Sequence, residues 1–426
     1  MSQASPETLT LRIEKPVAGG RMLARADGAV VLVAGALPGE LVVARVERSA
    51  QGTHFARTER VLEPSEDRVG EPNPCGGCVL AHARYERQLA IKQQIVQDGF
   101  ARLARQTIDP PAIFPSPADG YRMRARLHVQ DRRIGFFLEG THTLCDAAST
   151  RQLRPDTHAA LDALILALGT TADDVLAIEL AENREATERA VHLEARADAD
   201  TARLGSVTVP GITGISFSHP RSPRIHVVSG DGRVTDRFVR GEREWAVSRS
   251  ASAFFQGNRY LLDTLVNHVV DRLGSGGGVT DLYAGAGLFS IAAAAHGLAP
   301  VMAVEGDPLS AAELRRNSAP WRGLIQARHA PVEDYVRDRR LVRSHTVLLD
   351  PPRTGLSRRA LQGAIALRSP RIVYVSCDVA TLARDARAIV EAGYEMAELA
   401  LFDLFPNTAH VESVVVFDLR VNSPAV

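Results

Sequence analysis

Residues able to do covalent or cofactor chemistry gather in the C-terminal half of the chain, in four short clusters. The first is Asp281-Leu-Tyr283-Ala-Gly285-Ala-Gly287, followed by a second acid in Val304-Glu305-Gly306-Asp307. Glycines between a strand and a helix permit positive φ and let a ligand approach the backbone. A carboxylate ending the next strand can accept both hydroxyls of a ribose. Alone, the Gly-x-Gly is only a tight turn. With the acid in step, it points to a nucleoside-bearing cofactor. Position 290 is Ser, so the Gly-x-Gly-x-x-Gly pyrophosphate fingerprint is incomplete. That favours S-adenosylmethionine (SAM) over NAD.

The second cluster, Asp350-Pro351-Pro352-Arg353, closes a predicted strand with two residues that have no backbone donor. The third, Ser376-Cys377-Asp378, holds the one cysteine of this half. Its place before a predicted helix would lower the thiol pKa and favour the nucleophilic thiolate. The fourth, Phe405-Pro-Asn-Thr-Ala-His410-Val-Glu412, puts a carboxylate at the start of the last strand. From there it could reach the Cys377 loop and act as a base. Each cluster has a bland alternative: a rigid loop, a small buried thiol, an exposed strand-end acid.

The elements that must position these clusters follow from periodicity. From about Ser250 strands are predicted at Val279–Leu282, Val301–Val304, Thr346–Leu349 and Arg371–Val375. Helices are predicted between them, at Leu288–His296, Leu309–Asn317, Pro331–Arg337 and Arg358–Ala366, then at Thr381–Val390. Such alternation implies a doubly wound parallel α/β sheet. The last two strands, Glu395–Phe402 and Val411–Leu419, lack room for a crossover helix and should pair antiparallel. Thr8–Glu63 reads as short strands with glycine turns, suggesting a five-stranded barrel of the OB type. Pro64–Pro74 and Pro110–Pro117 are breaks around a predicted helix, Tyr85–Leu103. Residues from Tyr121 to about Glu244 are mixed α/β. The division is 1–66, 67–249 and 250–426.

Composition excludes several classes. The chain has 426 residues, 45% hydrophobic and 23% charged, with 50 basic and 50 acidic residues and 4 cysteines. That is ample for two or three cores. No apolar run reaches membrane-spanning length. The N-terminus lacks the basic and apolar regions of a signal peptide. Four cysteines cannot form a disulfide framework here, so a reducing, cytoplasmic setting is the default. Zero net charge supplies no overall field for a polyanion, but a local groove needs none. Arginine supplies nearly all the positive charge; the lysines are Lys15 and Lys92.

Taken in order, Asp-Leu-Tyr-x-Gly-x-Gly, Asp-Pro-Pro-Arg, Ser-Cys-Asp-x-Ala-Thr-Leu-Ala-Arg-Asp (376–385) and Phe-Pro-Asn-Thr-x-His-Val-Glu resemble the RNA 5-methyluridine methyltransferases. Phe254-Phe255-Gln256-x-Asn258 matches that family's entry to its catalytic domain. The N-terminal stretch, with Gly35-Ala-Leu-Pro-Gly-Glu40, looks like its TRAM RNA-binding barrel. The resemblance implies a SAM-dependent methyltransferase domain acting on uridine C5 in ribosomal or transfer RNA. It makes Cys377 the nucleophile and Glu412 the base. Gln256, Tyr283, Gly285, Gly287, Glu305 and Asp350 would bind SAM. A monomer working in the cytoplasm is expected. The rivals are a non-catalytic RNA-binding protein that keeps the fold, and a small-molecule methyltransferase or nucleotide oxidoreductase.

Relatives often carry a four-cysteine iron–sulfur site, two of whose ligands match Cys75 and Cys78. Here Arg68–Pro74 contains no cysteine, and Cys145 is out of register with the later ligand, expected near Thr150. A [4Fe–4S] cluster normally takes four thiolates. Cys75-Gly-Gly-Cys78 therefore reads as a remnant turn, the alternative being a three-cysteine site with Cys145. Arg122, Arg124 and Arg126 alternate along one strand face. They are either a phosphate-contacting patch or a solvated face.

Overall fold

The computed structural model describes residues 7–199, 207–338 and 344–420. The N-terminal sheet comprises β1 (Thr8–Arg12), β2 (Lys15–Pro16), β3 (Met22–Ala26), β4 (Ala29–Ala34), β5 (Leu41–Ala50) and β6 (Thr53–Glu63), in the order β1-β5-β6-β4-β3-β2. Only Ile13 and Glu14 separate β1 from β2. One continuous segment therefore pairs with β5 along its first half and with β3 along its second. The two edges of the sheet meet, and it closes on itself. Asp27 and Gly28 make the hairpin turn, both at positive φ (48° and 82°), as a two-residue loop favours. The strand signal is weakest at β3, whose Met-Leu-Ala-Arg-Ala lacks β-branched residues.

Helix α1 (Tyr85–Gly99) continues into a π-turn at Phe100–Ala104. Its Ile91 and Ile95 join the core of the N-terminal sheet, while Val96 and Phe100 join a core of the C-terminal sheet. The helix thus packs against both. β7 (Ala112–Phe114) lies inside the stretch read as a proline break.

The middle of the chain forms a seven-stranded sheet with α2 (Pro155–Leu168) packed on it. Its strands are β8 (Arg124–Gln130), β9 (Arg133–Phe137), β10 (Leu144–Asp146), β11 (Val175–Glu182), β12 (Arg189–Ala195), β13 (Gly214–His219) and β14 (Ser222–Gly230). Their order is β10-β9-β8-β11-β12-β13-β14. A hairpin, β15 (Arg233–Arg240) and β16 (Arg243–Ser250), leads on and buries Phe238, Trp245 and Val247 in the next core.

After α3 (Leu262–Arg272) strands and helices alternate: β17 (Val279–Leu282), α4 (Leu288–Ala295), β18 (Val301–Glu305), α5 (Pro308–Ser318), β19 (Ile325–His329), α6 (Val332–Tyr335), β20 (Thr346–Leu349), α7 (Arg358–Ala366), β21 (Arg371–Ser376) and α8 (Val379–Glu391). β22 (Tyr394–Phe402) and β23 (Glu412–Leu419) complete the series. The sheet order is β19-β18-β17-β20-β21-β23-β22-β7. β17 to β21 are parallel, and β23 inserts antiparallel between β21 and β22. Successive residues of β21 feed opposite cores, Ile372 and Tyr374 on one face, Val373 and Val375 on the other. Both faces are covered, which explains why these strands read as continuous apolar runs. β7 adds a parallel edge strand to β22, so a segment from before the central sheet completes this one.

Candidate active site

Between β17 and β20 the strand order changes direction, and ligands of open α/β sheets bind at the carboxyl edge of such a switch point. Asp281 lies near the end of β17, and Asp350 directly follows β20. After β17 the chain turns through Tyr283 (φ 68°), Gly285 (φ 57°) and Gly287 (φ 94°) into α4. The two glycines serve different ends. A Cβ on Gly287 would come 2.9 Å from Leu314 Cδ1, so Gly287 lets α4 pack closely. A Cβ on Gly285 would meet nothing within 4 Å, so the backbone there faces open space. Tyr283 holds a left-handed conformation without being glycine, a strain that tends to mark functional turns.

Glu305 ends β18, nearly buried. Its Oε2 accepts from Gly285 N at 2.8 Å and its Oε1 from Asp307 N at 2.6 Å. These bonds fix the carboxylate against the glycine turn and leave a lone pair on each oxygen. Asp281 accepts from the Ser290 hydroxyl on one oxygen, while its buried Oδ1 has no partner. Burial, reinforced by Glu305, pushes Asp281 up to about 7 against the Ser290 hydrogen bond. Asp350 is likewise raised, by burial and by repulsion from Asp281 and Glu305.

Cys377 and Glu412 stand at adjacent strand ends. Ser376 of β21 pairs with Ser413 of β23, so the residue beyond each, Cys377 and Glu412, lies at the same edge. Glu412 is 3% exposed, and burial together with Asp350 raises its carboxyl well above the usual range, with Arg353 opposing. Burial and the Glu412 charge push the Cys377 thiol up to about 12, again with Arg353 opposing. This corrects the expectation that the helix start acidifies the thiol. Asp378 occupies the N-cap of α8, accepting from Thr381 N at 2.8 Å, so a carboxylate already meets the helix start, while burial and the Glu412 charge raise the thiol. Arg353 supplies the positive charge that the helix was expected to provide.

The structure thus brings together Asp281, Glu305, Asp350, Cys377 and Glu412, with Arg353 among them. Asp281 and Arg353 lie inside the sequence clusters, but spacing assigns neither a role; only the packing exposes one. Gln256 is buried, in a segment anchored partly on the loop between β22 and β23. Asn258 donates to Ser116 Oγ at 2.8 Å and Leu404 O at 3.1 Å, and Phe255 lies under the Arg249 guanidinium, 3.8 Å from its ring centroid. Two of the three alternating arginines are matched by acids, while Arg122, just before β8, lies 5.9 Å from the Tyr121 ring centroid and 5.8 Å from that of Phe136. Arg126 pairs with Glu179 and Glu194, and Arg124 lies 3.5 Å from Glu179. Their face is an ion-paired sheet surface, and Arg132 pairs with Asp173 at 3.1 Å.

A glycine-lined turn with an acid at the next strand end can hold a nucleoside cofactor beside a thiol and a buried carboxylate. Comparison with known proteins makes this particular. Residues 332–420 match the family described as tRNA (Uracil-5-)-methyltransferase. The 23S rRNA (uracil(1939)-C(5))-methyltransferase RlmD of Halomonas elongata is 32% identical, spanning 94% of this chain and 87% of its own. The protein of that name from an Azoarcus strain is 33% identical over 94% and 97%. The crystal structure of Pyrococcus abyssi tRNA (uracil-54, C5)-methyltransferase in complex with S-adenosyl-L-homocysteine shares the fold, with TM-score 0.75 at 22% identity, over 96% of this chain and 99% of that one. The chain belongs to the RNA uracil-C5 methyltransferases, enzymes that use SAM to methylate C5 of uracil in RNA.

The site suits that cofactor. Several carboxylates converge with little positive charge beside them, and Asp281 keeps an unpaired oxygen. A ligand carrying a sulfonium and an ammonium offsets that excess. An iron–sulfur cluster finds no such fit. Cys75 is joined to Cys145 by a disulfide, a bond that the reading of the cysteines as thiols of a reducing setting does not anticipate, and Cys78 is a free buried thiol. Among the described residues no three His, Cys, Asp or Glu side chains converge as metal ligands.

Proposed function

We propose that methyl transfer proceeds through a covalent adduct between Cys377 and uracil C6. The observation that carries this is the Cys377–Glu412 pair, side by side at the ends of β21 and β23 and electrostatically linked through Arg353. Uracil C5 is a poor nucleophile. Attack by the Cys377 thiolate forms an S–C6 bond and moves the C5=C6 electrons into an enolate, which makes C5 nucleophilic. SAM, when bound, would supply an electrophilic methyl group, which C5 takes up as the methyl–sulfonium bond breaks to leave S-adenosylhomocysteine. Glu412 then removes the C5 proton; the electrons reform C5=C6, and the S–C6 bond breaks to release the thiolate. Arg353 lowers the pKa of both groups and so favours their reactive forms. Gln256, Tyr283, Gly285, Gly287, Glu305 and Asp350 hold SAM, with Glu305 on the ribose hydroxyls. The target base must leave its stack to enter the pocket.

The wider reading is three working parts. Residues 1–66 act as a TRAM-type barrel that binds RNA, 67–249 as a central domain and 250–426 as the methyltransferase domain. The enzyme acts as a cytoplasmic monomer on a uridine of structured ribosomal or transfer RNA. Glu412→Gln tests the mechanism. It should slow turnover about 100-fold or more and accumulate a denaturant-resistant protein–RNA adduct. If no adduct forms with RNA that the wild type methylates, the base assignment falls. Mass spectrometry of ribosomal and transfer RNA from a deletion strain, seeking a lost 5-methyluridine, identifies the substrate.

A further inference from the structure

Among 50 basic residues only Lys15 and Lys92 are lysine. Both engage α1. Lys15 Nζ donates to Asp98 Oδ2 at 2.6 Å, tying β2 to the end of the helix. Lys92 lies mid-helix, wholly buried, and the mechanism above does not use it. Its ammonium pairs with the equally buried Asp403 and donates to Phe405 O at 3.0 Å. Two further residues of the same helix face grip the same loop. Tyr85 OH donates to the other Asp403 oxygen at 2.7 Å. Gln88 accepts from Asn407 N at 2.9 Å and donates to Asn407 Oδ1 at 3.0 Å.

That loop joins β22 to β23. Phe402 and Glu412 are cross-strand partners, so Asp403 follows the residue opposite Glu412, and 403–411 is the connection between them. α1 also reaches the other catalytic strand end. A Cβ on Gly99 would come 2.6 Å from Val379 Cγ1, two residues beyond Cys377. A compact ammonium can donate to Asp403 and Phe405 O from one point; a planar guanidinium is larger and needs a different geometry. This explains lysine at a buried site in a chain that uses arginine almost everywhere else.

We propose that Lys92, acting through Asp403, is a positioning residue that sets Glu412 for removal of the C5 proton. The inference rests on the covalent mechanism. Disturbing the pair should leave thiolate addition and the first methyl transfer intact and slow release of the adduct.

The test compares full-length wild type, Glu412→Gln, Lys92→Met/Asp403→Asn and the milder Tyr85→Phe, using labelled SAM and RNA. The double variant removes both charges, so no buried ion is left unpaired. In it, SAM affinity and the first-turnover rate should stay within about threefold of wild type. Steady-state turnover should fall roughly 10- to 100-fold with adduct accumulating, as general-base loss requires. Tyr85→Phe should show the same split at about threefold. Normal turnover in the double variant overturns the proposal. So does equal slowing of first turnover and steady state without adduct in both Lys92→Met/Asp403→Asn and Tyr85→Phe. If the double variant fails to bind SAM, Tyr85→Phe decides alone. RNA carrying 5-fluorouridine, which has no C5 proton to surrender, separates the two failures. If wild type forms no stable adduct with it, the covalent mechanism itself falls, taking this inference with it. If wild type is trapped but the variants show no split, only the role of Lys92 is overturned.

Discussion

Cys377 and Cys78 are both free thiols, and burial raises both, to about 12 and about 11. Cys78 closes a turn, its N–H donating to Cys75 O at 3.1 Å, with the Arg122 charge opposing the rise. Cys377 stands at the carboxyl edge of a parallel sheet with Glu412, Asp350 and Arg353 around it. Each thiol therefore has a nearby arginine, and neither is acidic at rest. What separates them is the company of acids. The Cys377 pocket holds a carboxylate placed to take a proton and an excess of negative charge that a cationic cofactor relieves. Thiol acidity alone would not have told the two apart; the neighbours do.

The largest expected effect tests that contrast directly. Cys377→Ala should lower methyl transfer by at least about 1,000-fold, read with labelled SAM, while SAM still binds in calorimetry. Appreciable activity in that variant would sink the covalent step. Arg353→Gln should cost roughly 10-fold at neutral pH. Without the guanidinium both the thiol and the Glu412 carboxyl titrate higher, so the pH–rate profile should move to higher pH; an unmoved profile would deny Arg353 its electrostatic role. Asp281→Asn probes the surplus of acid. An acid whose folded pKa is raised binds more protons folded than unfolded. The stability it withholds is absent near its ordinary pKa of 3.8 and grows until pH passes about 7. The variant should therefore melt roughly 2–5 °C higher than wild type at pH 8 without SAM, and no higher at pH 4. The smallest effect belongs to the other thiol. Cys78→Ala should leave methyl transfer within about twofold and cost about 1 kcal/mol in chemical denaturation, through a small cavity.

Much of the catalytic sheet was legible beforehand, because each of its inner strands is a short apolar run ending in a chemically active residue. The predicted bounds of β17 and β20 coincide with those observed. Elements at the margins were not. β19, Ile-Gln-Ala-Arg-His, lies at the sheet edge and lacks a continuous apolar run. The β15–β16 hairpin carries charge even at buried positions, where Asp236 and Arg249 pair with each other. At the site, spacing located Cys377, Glu412, Glu305 and Asp350, yet it could not show that burial would raise the thiol. Nor could it reveal the Lys92–Asp403 pair, whose partners are 311 residues apart in sequence. Spacing speaks for one strand and its turn; contacts across such distances arise only from packing.

The three-residue strand β7 imposes an order on manufacture. It leaves the ribosome early, yet its partner β22 begins only at Tyr394, 280 residues after Phe114. At about 5–20 residues per second, Ala112–Phe114 waits on the order of tens of seconds for its partner. A fragment starting near Ser250 would never receive it, and would present β22 as an open edge, a template for pairing with other chains. Such a fragment should be prone to aggregate during expression, however complete its catalytic motifs.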